Sequence, residues 1–210
     1  MSRYCNQCGK ANMACICSNI QKIVSETELI ILQHPSEVKR AIGTAKIVNL
    51  SLANSYCFVG EDFTEHPSLN ALLSEEGSQT LLLYPTEGSQ LLTQTAFKQP
   101  QVNSITKTRI ILIDGTWRKA YKIWQLSSNL HHIPSVHLDE ALIGHYRIRK
   151  APSENGLSTV EAGFHALQVL EPERAEQFLP LMTAFNAMIE FQINHMPPGL
   201  FEKHHGSQSD

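Results

Sequence analysis

No apolar run in this chain of 210 residues approaches the roughly 20 residues that a membrane-spanning helix needs. The first residues, Met1-Ser2-Arg3-Tyr4-Cys5, lack the apolar core of a signal peptide. The expected location is therefore the cytoplasm, with no membrane partner. An excess of one charge is missing too. Lys and Arg number 17 and Asp and Glu 20, which leaves a net charge of -3. The field of the whole chain thus offers nucleic acid no grip, and any such contact must come from local basic patches. G-x-G-x-x-G, G-x-x-x-x-G-K-[ST] and G-x-S-x-G are all absent, so dinucleotide, P-loop and serine-hydrolase chemistry have no support. The ten histidines form no H-E-x-x-H. With 42% apolar and 18% charged residues, the composition is that of a globular domain rather than a disordered chain.

Cysteine is sparse over most of the sequence and crowded at one end. Four of the five cysteines lie in the first 17 residues, as Cys5, Cys8, Cys15 and Cys17 in a C-x2-C-x6-C-x-C pattern. In a reducing compartment such clustering favours metal over disulfides, although two disulfides or four idle thiols are the alternatives. Four thiolates neutralise Zn2+ and close a tetrahedral structural site with no open position for catalysis. Gly9 permits a tight turn beside Cys8, and so short a segment would draw its folding energy from the metal. Cys57, within Tyr56-Cys57-Phe58-Val59, reads as a buried inert thiol.

After the cysteines, strand and helix patterns alternate. Glu28–Gln33, Tyr56–Val59, Thr80–Tyr84, Arg109–Ile113 and Ser135–Leu138 read as strands. Helical spacing runs through Ser36–Ala53, Ser68–Glu75, Thr116–Leu130, Ser158–Leu170 and Glu176–His195. In the third of these, Trp117, Tyr121 and Trp124 share one side. Gln94–Lys107 and Ala151–Gly156 read as loops. The alternation implies an α/β fold with a mainly parallel sheet, whose ligands bind beyond the carboxyl ends of the strands. Three units are expected: a four-cysteine zinc module over residues 1–24, a catalytic domain over 25–197 and a polar tail over 198–210.

Two strand ends carry chemistry. TLLLY runs into Pro85-Thr86-Glu87-Gly88, and RIILI runs into Asp114-Gly115-Thr116-Trp117-Arg118. Asp114-Gly115 alone could be an ordinary turn with Thr116 as a helix cap. The functional reading makes Asp114 a carboxylate held beside a helix N-terminus, Trp117 an aromatic surface and Arg118 a bidentate grip for phosphate or carboxylate. Ser158 and Glu161 fit an S-x-x-E capping box, and the amides at such a terminus also suit a bound carboxylate. His34, in His34-Pro35-Ser36-Glu37, reads as a satisfied core histidine. Arg118, Lys119 and Lys122, and then Arg147, Arg149 and Lys150, are the local basic patches, each also readable as a solvated face.

Taken in order, these pieces resemble the DTW-domain family. They are the Cys5/Cys8/Cys15/Cys17 cluster running into Ser18, then Leu32-Gln33-His34-Pro35-Ser36-Glu37 and Leu82-Leu83-Tyr84-Pro85. Ile113-Asp114-Gly115-Thr116-Trp117-Arg118-Lys119-Ala120 and Leu157-Ser158-Thr159-Val160-Glu161-Ala162 complete the set. The chain departs from the pattern at Ala41-Ile42-Gly43-Thr44, where related chains commonly carry an Asn-Thr pair. The resemblance implies a tRNA-uridine aminocarboxypropyltransferase, with S-adenosylmethionine as group donor and tRNA as partner. It also implies a SPOUT-like sheet with a C-terminal trefoil knot. In that scheme Asp114 is the general base. Leu83, Tyr84, Pro85, Thr86, Glu87, Thr116, Trp117, Ser158, Thr159 and Glu161 surround the donor. Arg118, Lys119, Lys122, Arg147 and Arg149 hold RNA phosphates. A SAM-dependent RNA methyltransferase of the same fold and a non-catalytic zinc-containing RNA-binding module are the alternatives.

Overall fold

A strand that is apolar at every position, with no polar alternation, belongs in the middle of a parallel sheet covered on both faces. Leu29–Leu32 is such a run, and the strand around it, Thr27–Gln33 (β1), is buried along its whole length. In the computed structural model, which describes residues 2–94, 107–142, 144 and 156–196, β1 lies between β2 (Ser55–Val59) and β5 (Lys107–Asp114). β3 (Ser78–Leu83), β4 (Gln90–Leu91) and β6 (Ser135–His137) extend the sheet, giving the order β2-β1-β5-β3-β6-β4. Every adjacent pair is parallel. The expected α/β fold with a parallel sheet is thus present, with β4 as a short strand that its two residues gave no pattern to announce.

Alternate side chains of the central strands enter two separate cores. Leu29, Ile31, Ile110 and Leu112 face α1 (Ala45–Ser51), α4 (Thr159–Leu170) and α5 (Leu179–Asn194). Ile30, Leu32, Leu82 and Ile111 face Phe63, Leu69 on α2 (Pro67–Leu73), Ile123 on α3 (Trp117–Leu126) and Leu130. Gly163 is where α4 comes closest to the sheet: a Cβ there would sit 3.2 Å from Leu29 and 3.3 Å from Leu112. Cys8, Ile16 and Ile23 join the first core, so the N-terminal segment packs onto the domain.

At the amino end of the sheet Arg109 is fully buried. Its guanidinium donates to Glu28 Oε2 (2.6 Å), to the Leu72 carbonyl (2.6 Å) and to Glu75. A buried cation is tolerable only with such a complete set of acceptors.

Three helices differ from their sequence patterns. Ser36–Ala53 is helical only from Ala45; before it lie a 3-10 turn at Pro35–Glu37 and hydrogen-bonded turns through Arg40 and Gly43. The reason is a distant side chain: Lys10 Nζ donates to the carbonyls of Ala41 and Gly43 (3.2 Å to the latter), withdrawing them from any helical ladder. The Thr116–Leu130 helix stops at Leu126, where buried Ser127 accepts a hydrogen bond from Phe63 N (3.0 Å). The last helix begins at Leu179 rather than Glu176, because Pro180 stands in its first turn and a 3-10 segment, Pro172–Phe178, precedes it. The expected knot depends on the chain between β6 and α4. Residues 143 and 145–155 of that stretch lie outside the described residues, as does the tail from 197 onward. Among the described residues no helix is long and apolar enough to cross a membrane.

Candidate functional site

Parallel pairing brings every strand's carboxyl end to one edge. Gln33, the last residue of β1, is in register with Asp114, the last residue of β5. Asp114 is buried. Gln33 Nε2 donates to its Oδ2 at 2.8 Å, and Thr159 Oγ1, from the first turn of α4, donates to its Oδ1. The backbone N–H of His34 donates to the Asp114 carbonyl at 3.0 Å. One carboxylate therefore ties together two strand ends and a helix start. Gln33 was not among the expected site residues. Its signal in the sequence is a lone polar side chain ending an apolar run.

The turn after Asp114 is tight. A Cβ on Gly115 would lie 2.9 Å from Lys119 Cβ and 3.8 Å from His34 Cβ, so only glycine lets α3 begin this close to the strand end. Thr116 occupies the N-cap position of α3 but makes no side-chain cap bond, leaving the first amides of that helix without that partner. At α4 the cap is complete. Ser158 Oγ accepts from Glu161 N (3.5 Å), while Ser158 N and Oγ both donate to Glu161 Oε2, at 2.7 and 2.6 Å. Glu161 is fully buried.

Beside Asp114 lie two charged triads. His34 Nδ1 accepts from Ser36 N (3.2 Å), which leaves the proton on Nε2, and Nε2 lies 2.7 Å from Glu61 Oε1. Glu61 Oε2 also accepts from Lys122 Nζ at 2.6 Å. Buried Glu37 accepts from Lys119 Nζ (2.7 Å) and from Arg40 Nη1 (3.1 Å). Hydrogen bonding from Lys122, and then from His34, holds the Glu61 carboxyl below the usual range. For Glu37, burial pushes the carboxyl upward, but Lys119 and Arg40 outweigh it and hold it below that range. Lys119 and Lys122 are therefore already paired with carboxylates. Arg118 is exposed and has no ion pair among the described residues. Arg147 and Arg149 lie outside the described residues.

Past β3, Tyr84 N donates to Val136 O (3.0 Å), and Thr86 Oγ1 is hydrogen-bonded to Ser135 Oγ. The Tyr84 ring lies 6.3 Å from that of Trp117 and 6.1 Å from that of Trp124. Tyr84 and Trp117 thus meet across the sheet edge, while Pro85 and Glu87 are exposed. Burial raises the Tyr84 hydroxyl above its ordinary value, with Tyr121 adding to it. Cys57 is half-buried on β2 and its thiol is pushed up, by burial first and by Asp114 second.

The cysteine cluster forms away from this edge. The sulfurs of Cys5, Cys8, Cys15 and Cys17 all lie within 4.8 Å of one another. The Cys5–Cys17 and Cys8–Cys15 pairs are 3.7 and 3.8 Å apart. Zinc–sulfur bonds of about 2.3 Å place tetrahedral ligands about 3.8 Å apart, so the four thiols fit that ion. Backbone N–H groups of Cys8 and Gln7 lower Cys5 to about 6. Burial and then the neighbouring thiols push Cys17 up to about 12.

A family model described as DTW domain matches residues 2–193. The chain belongs to the DTW-domain family. Among curated relatives, the chain is 33% identical over 199 residues to tRNA-uridine aminocarboxypropyltransferase 2 of Drosophila melanogaster, covering 91% of this chain and 75% of that one. It is 30% identical to the Macaca fascicularis protein of the same name, covering 91% of this chain and 64% of the relative's length. It is 24% identical to tRNA-uridine aminocarboxypropyltransferase A of Arabidopsis thaliana, with 93% and 83% covered. No solved structure matches.

Proposed function

We propose that this DTW-domain protein transfers the 3-amino-3-carboxypropyl group of S-adenosylmethionine to nitrogen 3 of a uridine in tRNA, releasing methylthioadenosine. The observation that carries the reading is the fixed carboxylate of Asp114 at the carboxyl edge of a parallel sheet, in a chain whose curated relatives are named tRNA-uridine aminocarboxypropyltransferases. The donor supplies a carbon made electrophilic by its sulfonium. The uridine N3–H is a weak acid, and Asp114 takes its proton as the nitrogen lone pair forms the new N–C bond and the C–S bond breaks. Base assistance of this kind contributes about 10²–10⁴-fold. Both carboxylate oxygens accept hydrogen bonds in the resting site, and the Thr159 hydroxyl can rotate to accept from the protonated acid.

Leu83, Tyr84, Pro85 and Thr86, with Thr116 and Trp117, are assigned to the adenosine and methyl of the donor. The aromatic contact between Tyr84 and Trp117 supports this assignment. The sulfonium offers three carbons, so the pocket must bury the methyl and bring the transferred carbon to about 3–3.5 Å from the nucleophile. The donor carboxylate is assigned to the start of α4 at Ser158 and Thr159. Ser158 N is already bonded to Glu161, which leaves the Thr159 amide for that role. Of the two carboxylates considered for the donor ammonium, Glu161 closes the cap and Glu87 is exposed. Arg118, Lys119, Lys122, Arg147 and Arg149 are assigned to RNA phosphates, Arg118 being the one with no ion pair among the described residues.

The reading includes a SPOUT-like fold with a trefoil knot, a cytoplasmic location and structural Zn2+ on Cys5, Cys8, Cys15 and Cys17. It divides the chain into the zinc module (1–24), the catalytic domain (25–197) and the tail (198–210).

The test is mass analysis of nucleosides from unmodified tRNA incubated with the protein and S-adenosylmethionine. An aminocarboxypropyl-uridine is expected with wild type and none with Asp114→Ala, whose donor affinity is retained. A methyl adduct, or wild-type turnover by Asp114→Ala, overturns the assignment.

A further inference from the structure

Helix α3 turns the wrong face outward for a simple core helix. Trp117, Tyr121 and Trp124 recur at i, i+4 and i+7, the spacing of a buried stripe. Yet Ala120 and Ile123 are the buried pair. Trp117 is 46% exposed and Tyr121 55%. The rings form a connected run: Tyr121 lies 6.1 Å from Trp124, Trp124 6.1 Å from Tyr84 and 5.1 Å from His131. Trp124 and Tyr84 are half-buried against the second core, whereas Trp117 and Tyr121 stand in water, and exposed aromatic area of that kind marks a surface for a partner.

The charges on the same helix indicate which partner. The sequence of α3, Trp117 to Leu126, holds Arg118, Lys119 and Lys122 and no carboxylate of its own, Lys119 and Lys122 being paired with Glu37 and Glu61 from elsewhere in the chain. Arg118 and Lys122 each follow an exposed ring by one residue, about 100° round the helix. Arg118 has no ion pair among the described residues, and Lys122 shares its charge with Glu61 (2.6 Å), so a cation stands next to each exposed ring. That pairing is the one single-stranded nucleic acid uses, with phosphates on the cations and base faces on the aromatics. A duplex hides its base faces, so it does not fit.

We propose that the outward face of α3, with exposed Tyr121 at its centre and the edge of half-buried Trp124 beside it, is a stacking platform for unpaired bases of the RNA substrate. The proposal rests on RNA being the substrate, as argued above, and adds which part of the RNA meets the protein. Tyr121 lies seven residues beyond Asp114, so the platform holds nucleotides flanking the reacting uridine and is distinct from the base that takes the proton.

Both tryptophans of the chain, Trp117 and Trp124, lie in this run, so their fluorescence reports on it directly. The protein is titrated, without donor, with unmodified tRNA, a short single-stranded oligoribonucleotide and a blunt RNA duplex. Quenching by the first two and little by the duplex is expected. Tyr121→Ala should weaken tRNA binding about 5- to 150-fold, the range for losing one stacked base, while Tyr121→Phe restores it and donor affinity stays unchanged. Equal tRNA affinity in wild type and Tyr121→Ala, or equal quenching by the duplex, overturns the platform. So does a wild-type molar mass, by light scattering, twice that of Tyr121→Ala, which would make the face a contact between two copies of the chain. Quenching without any aminocarboxypropyl-uridine in the nucleoside assay would sink the proposed reaction and leave the platform standing.

Discussion

Glu37 keeps its charge at a buried position because Lys119 and Arg40 both reach it. Its carboxyl is held below the unfolded value, so the stability it contributes is fully present above the unfolded pKa, near 4.5. That contribution is lost as pH falls through the lower folded value. Lys119→Met should remove the stronger of the two supports. Stability at neutral pH then falls by about 1–3 kcal/mol, and the acid limb of the unfolding curve moves to higher pH. Denaturant melts at several pH values read both effects, and an unchanged acid limb would show that Arg40 alone suffices. Asp114 follows a related logic with neutral donors. Gln33 and Thr159 fix both of its oxygens without adding charge, so the carboxylate is oriented by neutral donors alone among the contacts described.

At the scale of elements, the start of α4 is both a cap and part of the site. Ser158→Ala removes a hydroxyl bonded to fully buried Glu161. The loss should lie toward the upper end for an N-cap, about 2 kcal/mol, lowering Tm by roughly 4–8 °C in a domain of this size; a thermal melt decides it. This cap was legible in the sequence, because a capping box is local and its two residues stand three apart. The central strands were legible for a similar reason: continuous apolar runs such as Leu29–Leu32 and Ile110–Leu112 have one comfortable place in an α/β protein. What could not be read was set by partners far along the chain. The helix expected from Ser36 is unwound by Lys10, distant in sequence from the carbonyls it binds. Glu61 gives no sign in the sequence that it will bridge His34 and Lys122. The aromatic spacing of α3 was read correctly as one side of a helix, but periodicity does not say which side faces water.

For the whole molecule, the cysteine cluster and the carboxyl edge are mechanically joined. Lys10, two residues past Cys8, grips the 41–43 turn, and that turn leads back through Arg40 to Glu37 and across to Lys119 on α3. Stripping the zinc proposed for the four cysteines with a chelator should therefore loosen more than the first 24 residues. Amide exchange should quicken at 38–44 as well as in the module, and Cys8→Ser should drop the metal content from about one zinc per chain toward none. Exchange at 38–44 that is indifferent to metal would mean the two regions are independent. The strand order carries a further consequence, for biosynthesis. β1 finds its inner neighbour only in β5, far later in the chain, and the apolar face that Leu29 and Ile31 share with Ile110 is covered only when α4 and α5 arrive. At roughly 5–20 residues per second of translation, a growing chain carries that bare sheet face for several seconds. The protein is thus expected to lean on chaperones at the ribosome far more than its modest size suggests.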